Sequence, residues 1–259
     1  MIAFETRGWV KFPYDPDVYA WSRAAYQAGL VAVEDPSIRE TWLDCEGTWF
    51  IGVDALPNDA SGRLGDVPLA GAAVDYLGDM PPLHKAQLSV TYPGYPRPRK
   101  TEGEAAFRYR AKRDAAHVDG ILPHGPDRVR QVSEPHAFVL GLPVTEASED
   151  ASPLVVWDRS HEIMGRAFRD TFLRHDPGEW STLDITETYQ AARKHCFEHC
   201  DRITLPARPG EAILMHRHCL HGVAPWADSA VAPPEGRMIA YFRPEFQNGI
   251  TDWVSEKPF

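Results

Sequence analysis

The sequence predicts a mainly β fold with flanking helices in a single domain over residues 1–259, and three observations carry that prediction. Segments that read as short strands crowd the chain from about Phe107 onward (FRYRA, HAFVLGLPV, SPLVVW, DRITL, GEAILMH, RMIAYF), a density that suggests a barrel or sandwich. One helical stretch, roughly Trp180 to Cys200, interrupts them, with the N-terminal helices expected to pack outside. No linker-like tract or internal repeat divides the chain, and 43% hydrophobic content is ample for a core.

Taken in order, RGWVKF reads as a short strand. DPDVYAWSRAAYQAGL reads as a helix in which Asp15 caps, Pro16 suits the first turn, Gly29 terminates, and Val18, Trp21, Ala25 and Tyr26 share a face. TWFIGVDAL is strand-like, and VPLAGAAVDYLGDM is a short helix ending near Gly78. HKAQLSVTY alternates and stops at the turn-rich PGYPRPR, while SAVAPPEG is a long loop between the last two strands. Residues 1–84 thus form a helical and strand support, and about 85–246 the strand-rich core.

A net charge of −10 and pI near 5.5 argue against nucleic-acid binding, which calls for a basic stripe. No apolar run has the length of a signal peptide or membrane span, so a soluble, cytoplasmic protein with no membrane partner is expected. Cys45, Cys196, Cys200 and Cys219 are too few for a disulfide framework and are expected as free thiols. No phosphate-binding glycine loop or serine or cysteine nucleophile motif is present.

Two constellations could carry chemistry. In AHVDG, His117 and Asp119 would point to one side of extended backbone, supplying two thirds of a two-histidine, one-carboxylate facial triad of the kind that holds non-haem Fe(II). A strand-end polar pair is the plainer reading of that tripeptide alone. The stretch HRHCLHGVAPW offers three more histidines, and strand alternation by itself favours His216 with His218 over His221. In GRMIAYFRPEF, Arg237, Ile239, Tyr241 and Arg243 share a face, and an arginine inside a barrel needs an anionic partner, such as a ligand carboxylate held by the guanidinium fork.

Together HVDG, SPLVVWDRSHEIM, RPGEAILMHRHCLHGVAPW and GRMIAYFRPE, in that order over residues 85 to 245, resemble the phytanoyl-CoA dioxygenase-like branch of the Fe(II)/2-oxoglutarate-dependent oxygenases. The resemblance implies a double-stranded β-helix (jelly-roll, cupin-like) core. It implies Fe(II) as cofactor on His117, Asp119 and His221, 2-oxoglutarate as cosubstrate on Arg237, and O2 as oxidant. Gln87 and Thr91 look similar to positions lining the cosubstrate and substrate pocket, Tyr241 is a candidate wall, and Arg243 is the other arginine that could take the 2-oxoglutarate carboxylate. An aspartate at the carboxylate position implies hydroxylation of a small-molecule substrate, with release of succinate and CO2.

Weaker signals remain. His161 could contact substrate or serve the fold. His195, Cys196, His199 and Cys200 sit at helical spacing, which reads as packing or solvated histidines more readily than as zinc, since one helix cannot enclose a tetrahedral ion. The basic run from Arg97 to Arg113 reads as a solvated loop and strand face, or else as a steering patch for an anionic substrate. Two other functions fit the same pattern: a cupin-like metal-dependent isomerase or lyase using His216 and His218, and a non-catalytic ligand-binding jelly roll.

Overall fold

The computed structural model describes residues 2–257 and 259. Its strands are β1 (Trp9–Phe12), β2 (Leu43–Asp44), β3 (Trp49–Phe50), β4 (Gln87–Thr91), β5 (Ile121–His124), β6 (Val129–Val132), β7 (Phe138–Pro143), β8 (Leu154–Trp157), β9 (Arg202–Leu205), β10 (Ala212–His216), β11 (His221–Val223) and β12 (Arg237–Phe242). The helices are α1 (Ile2–Arg7), α2 (Pro16–Glu34), α3 (Pro36–Trp42), α4 (Ala72–Leu77), α5 (Glu104–Ala111), α6 (Ser160–Phe172), α7 (Thr186–His199) and α8 (Ile250–Trp253).

A seven-stranded sheet in the order β1-β10-β7-β12-β4-β3-β2 faces a three-stranded sheet, β11-β8-β9, and β5 with β6 forms a separate hairpin. The chain passes from β4 in the large sheet to His117, bridged onto β11 of the small one, then to β7, and on through β8 and β9, β10, β11 and β12. This alternating winding, with every pairing antiparallel, makes the core a double-stranded β-helix. The N-terminal support joins the core sheet directly: β1 extends one edge through β10, and β2 and β3 extend the other through β4.

Alternation along the strands sorts side chains to two sides. Leu88, Val90, Leu140, Leu142, Met238, Ala240 and Phe242 point out of the barrel into a cluster with Trp21, Ala25 and Val18 of α2. Trp21 packs on Phe242 at 5.5 Å between ring centroids and donates from Nε1 to the Gly62 carbonyl at 2.7 Å. Val139, Leu154, Val156, Ile213 and Met215 point inward and close the space between the sheets, while Val155 and Trp157 face α6 and α7 on the far side. Arg237, Ile239 and Tyr241 of β12 therefore project between the sheets, opposite Thr91, Ser89 and Gln87 of β4.

Two predicted elements differ. The helix from Asp15 continues past Gly29 to Glu34, where Asp35 ends it and its side chain accepts from Ser37 N–H to start α3; one glycine costs a helix only about 1 kcal/mol, which the buried face offsets. FRYRA, expected as a strand, lies in α5, which buries no residue and so leaves no helical periodicity to read. It is held by charge instead: Arg110 grips Glu102 at 2.7 Å and Arg108 reaches Glu104 at 3.2 Å. Much of the basic run is consumed this way, with Arg99 set against Asp44 and over the Trp49 ring. All four cysteines are free, and among the described residues no helix is long and apolar enough to cross a membrane.

Candidate metal centre

His117 and His221 are brought together by the backbone before their side chains meet. They form an isolated antiparallel bridge, with His117 N–H donating to the His221 carbonyl at 2.8 Å and His221 N–H to that of His117 at 3.0 Å. Two glycines make the approach possible. A Cβ on Gly222 would lie 2.1 Å from the Asp114 carbonyl oxygen, and one on Gly120, at φ +78°, would lie 1.9 Å from that of Glu134. The H-G and D-G steps in the sequence are thus requirements of the site's packing. Gly222→Ala is expected to cost about 3 kcal/mol through backbone displacement, seen as a lower urea midpoint at an unchanged slope.

The side chains then converge on one point. His117, Asp119 and His221 each offer a ligand atom within 4.8 Å of the others, the only such group of three among the described residues. His117 Nδ1 lies 3.0 Å from the Ala115 carbonyl, and His221 Nδ1 lies 2.9 Å from the Cys219 carbonyl. A carbonyl only accepts, so each ring donates from Nδ1 and turns Nε2 toward the carboxylate. The two Nε2 atoms face Asp119 oxygens at 3.1 Å for His117 and 3.8 Å for His221. Groups so placed need a cation between them, either a proton on Nε2 or a metal ion. The backbone carbonyls supply the outer hydrogen bonds that fix ligand tautomers at metal sites.

Electrostatics agree with that reading. Burial alone would raise the Asp119 carboxyl, but its charged surroundings, Arg243 foremost, hold the group well below the usual carboxylate range. Burial pushes His221 down to about 4, with Asp119 opposing, so the ring is neutral at physiological pH. His117 stands at the mouth with 46% of its side chain exposed, against 9% for His221.

Away from the mouth, on the same inner face, lies a second feature. Arg237 is buried, and no carboxylate of the described residues pairs with it; burial pulls its guanidinium pKa down, with Tyr241 and Tyr95 opposing. Directly across the strands, Thr91 Oγ1 is buried without a hydrogen-bond partner. A guanidinium and a hydroxyl, both short of partners, form a cradle for an oxyanion. Tyr241, raised by burial, senses Arg237, Asp119 and Arg243 and so stands between the two features, and Gln87 lies opposite it in register. Strand alternation between Gln87 and Thr91 could also have identified Ser89, whose Oγ accepts from Trp49 Nε1 at 3.0 Å.

Other predicted candidates go elsewhere. His161 is not brought to the metal triad: its Nε2 donates to the Glu5 carbonyl at 2.9 Å, and its ring lies 5.1 Å from that of His216. With His216 and His218 it lines a separate cavity of about 440 Å³ beside α6 that contains no triad residue. His216 Nδ1 accepts from His218 N–H at 3.1 Å, which occupies one ring nitrogen of the HxH pair. His195 and His199 stack at 4.0 Å, and no metal cluster of the described residues includes them or their neighbouring cysteines.

Burial lowers the pKa of His161 and His218, so the folded protein keeps them neutral where the unfolded chain, near 6.5, would take up protons. Their stability contribution is complete above about pH 6.5 and declines below it, by up to about 1.4 kcal/mol per pH unit for each ring. Denaturation midpoints should fall between pH 7 and 5; a flat profile would contradict the burial of both rings.

No family model matches the chain, and no curated protein matches it. Among solved structures it is similar to the non-haem α-ketoglutarate-dependent carbocyclase SnoK from nogalamycin biosynthesis, at 15% identity and TM-score 0.46 over 100% of this chain and 91% of that one. It is similar to EctD from S. alaskensis with bound Fe, at 17% identity and TM-score 0.48 over 93% and 74%. It is also similar to the epimerase SnoN in complex with Fe3+, α-ketoglutarate and nogalamycin RO, at 14% identity and TM-score 0.45 over 100% and 91%.

Proposed function

We propose that this protein is an Fe(II)- and 2-oxoglutarate-dependent oxygenase of the phytanoyl-CoA dioxygenase-like kind that hydroxylates a small molecule. The observation that carries this is one inner surface bearing three convergent side chains at the mouth and, away from it, an arginine with no carboxylate partner among the described residues beside a threonine hydroxyl with no hydrogen bond. Two histidines and one carboxylate suit Fe(II) and leave coordination positions open. Arg237 and Thr91 suit the far carboxylate of a diacid that reaches such a metal, and Tyr241 walls the path between. When bound, the iron and 2-oxoglutarate supply the oxidation: a substrate C–H becomes C–OH as O2 and 2-oxoglutarate give succinate and CO2. The chain's part is to hold three lone pairs at fixed tautomers, to neutralise the diacid, and to exclude water with Ile239, Ile213 and Val139 on the inner wall.

The test is direct. Anaerobic Fe(II) with 2-oxoglutarate should give a weak visible charge-transfer band that His117→Ala and Asp119→Ala remove. In air, succinate should form in step with oxidised product when small metabolites are screened. Tight Fe(II) binding without 2-oxoglutarate affinity would sink the reading and favour a metal-dependent isomerase or lyase. For that alternative His216 and His218 are poorly placed, since they face the other cavity.

A further inference from the structure

We propose that Arg243 is the substrate anchor, and that the substrate is a carboxylate oxidised within a few bonds of its anionic group. This rests on the oxygenase reading above.

The resemblance assigned the cosubstrate to Arg237, with Arg243 as the alternative on the same face, and the structure gives the two arginines different surroundings. Arg237 is buried opposite Thr91 in the body of the barrel. Arg243 follows the last residue of β12 and comes within 3.7 Å of Asp119 at Nη1, on the side where His117 is exposed. A molecule entering at the mouth meets Arg243, while 2-oxoglutarate has Arg237 and Thr91 further in. Six residues of extended strand separate the two arginines by roughly 20 Å at the backbone, so they serve two ends of the site.

Arg243 is short of partners. Its Nε is buried and makes no hydrogen bond among the described residues, and its side chain is only 16% exposed. Asp119 is the one carboxylate within ion-pair distance among those residues, and at 3.7 Å it makes no hydrogen bond to the guanidinium. Glu134, which also feels Arg243, is engaged by His136 Nε2 at 3.1 Å. Once Asp119 ligates a divalent cation, its charge is drawn to the ion and Arg243 keeps a planar donor fork with no counter-charge. The guanidinium geometry matches a carboxylate with two parallel hydrogen bonds, which a neutral amide cannot reproduce. Because the guanidinium lies against a metal-ligating carboxylate, the carbons nearest the bound anion are those presented to the reacting position.

The experiment uses the protein loaded anaerobically with Fe(II) and saturating 2-oxoglutarate, titrated with a series of aliphatic and aromatic monocarboxylates and with their primary amides. The visible band reports occupancy without turnover. Carboxylates should perturb the band of the wild-type protein and amides should not. Arg243→Gln should keep the band and the 2-oxoglutarate affinity within about twofold while weakening carboxylate binding roughly 10- to 100-fold, with Arg243→Lys between. The retained band shows that the variant is folded and loaded. The proposal is overturned if amides bind as well as acids, if no carboxylate perturbs the band, or if Arg243→Gln weakens 2-oxoglutarate by tenfold or more, which would make Arg243 a cosubstrate ligand. Absence of the band in the wild-type protein would overturn the oxygenase reading itself.

Discussion

Replacing His221 with alanine is expected to weaken Fe(II) binding by more than roughly 100-fold, because changing even an outer partner of a metal ligand costs 10–100-fold and this change deletes a ligand. The effect should exceed that of His117→Ala. His221 is buried on β11 with its tautomer fixed by the Cys219 carbonyl, whereas water can occupy the exposed place left by His117. Equilibrium dialysis of the variant against Fe(II), or Mn(II) as an air-stable stand-in, gives the affinity. His218→Ala supplies the contrast, since its ring touches Phe168 and Trp253 in another core cluster and should leave metal affinity unchanged at some cost in stability. Equal metal loss in both variants would mean that the triad is misassigned.

The second large effect is at Arg237. Arg237→Leu removes a buried guanidinium that has no acid of its own, so the folded protein should tolerate it or gain stability, while 2-oxoglutarate binding should weaken by about 2–5 kcal/mol, the cost of truncating one partner of a buried charge pair. Thr91→Val, which deletes one neutral donor, should cost about 1 kcal/mol. The signature is a rise in KM for 2-oxoglutarate with Fe(II) affinity intact, read by succinate formation and by metal titration. A variant that unfolds, or one with unchanged KM, would show that Arg237 serves the barrel and not the cosubstrate.

Much of this was legible in the sequence because the signals were local. The i, i+2 spacing of His117 and Asp119, the alternation of Arg237, Ile239 and Tyr241, and the strand-rich C-terminal half all reflect the two-residue period of extended chain. What the sequence hid was set by contacts across it. Strand alternation favoured His216 and His218 as a pair; the resemblance put His221 in the triad, and the backbone bridge from His221 to His117 is the contact across the fold that brings it beside Asp119. The helix α5 was misread because a charged helix that buries no residue carries no apolar stripe. The carbonyls of Ala115 and Cys219, which aim the imidazoles, have no side-chain signature at all. Arg243 was visible as a residue but not as a neighbour of Asp119, since their meeting depends on how the barrel closes.

The reciprocal backbone pair between His117 and His221 also has a mechanical side. It joins the chain at two points about a hundred residues apart and, with the bond from Val223 N–H to the Asp114 carbonyl at 2.8 Å, stitches the segment before Asp119 onto the small sheet. An ion held by both rings therefore acts as a fastener across that seam, and part of its binding energy becomes resistance to opening. Chelation should leave the large sheet protected while the amides of His117 and His221 exchange faster with solvent. The residence time of the metal would then set how often the mouth of the barrel comes unbuttoned.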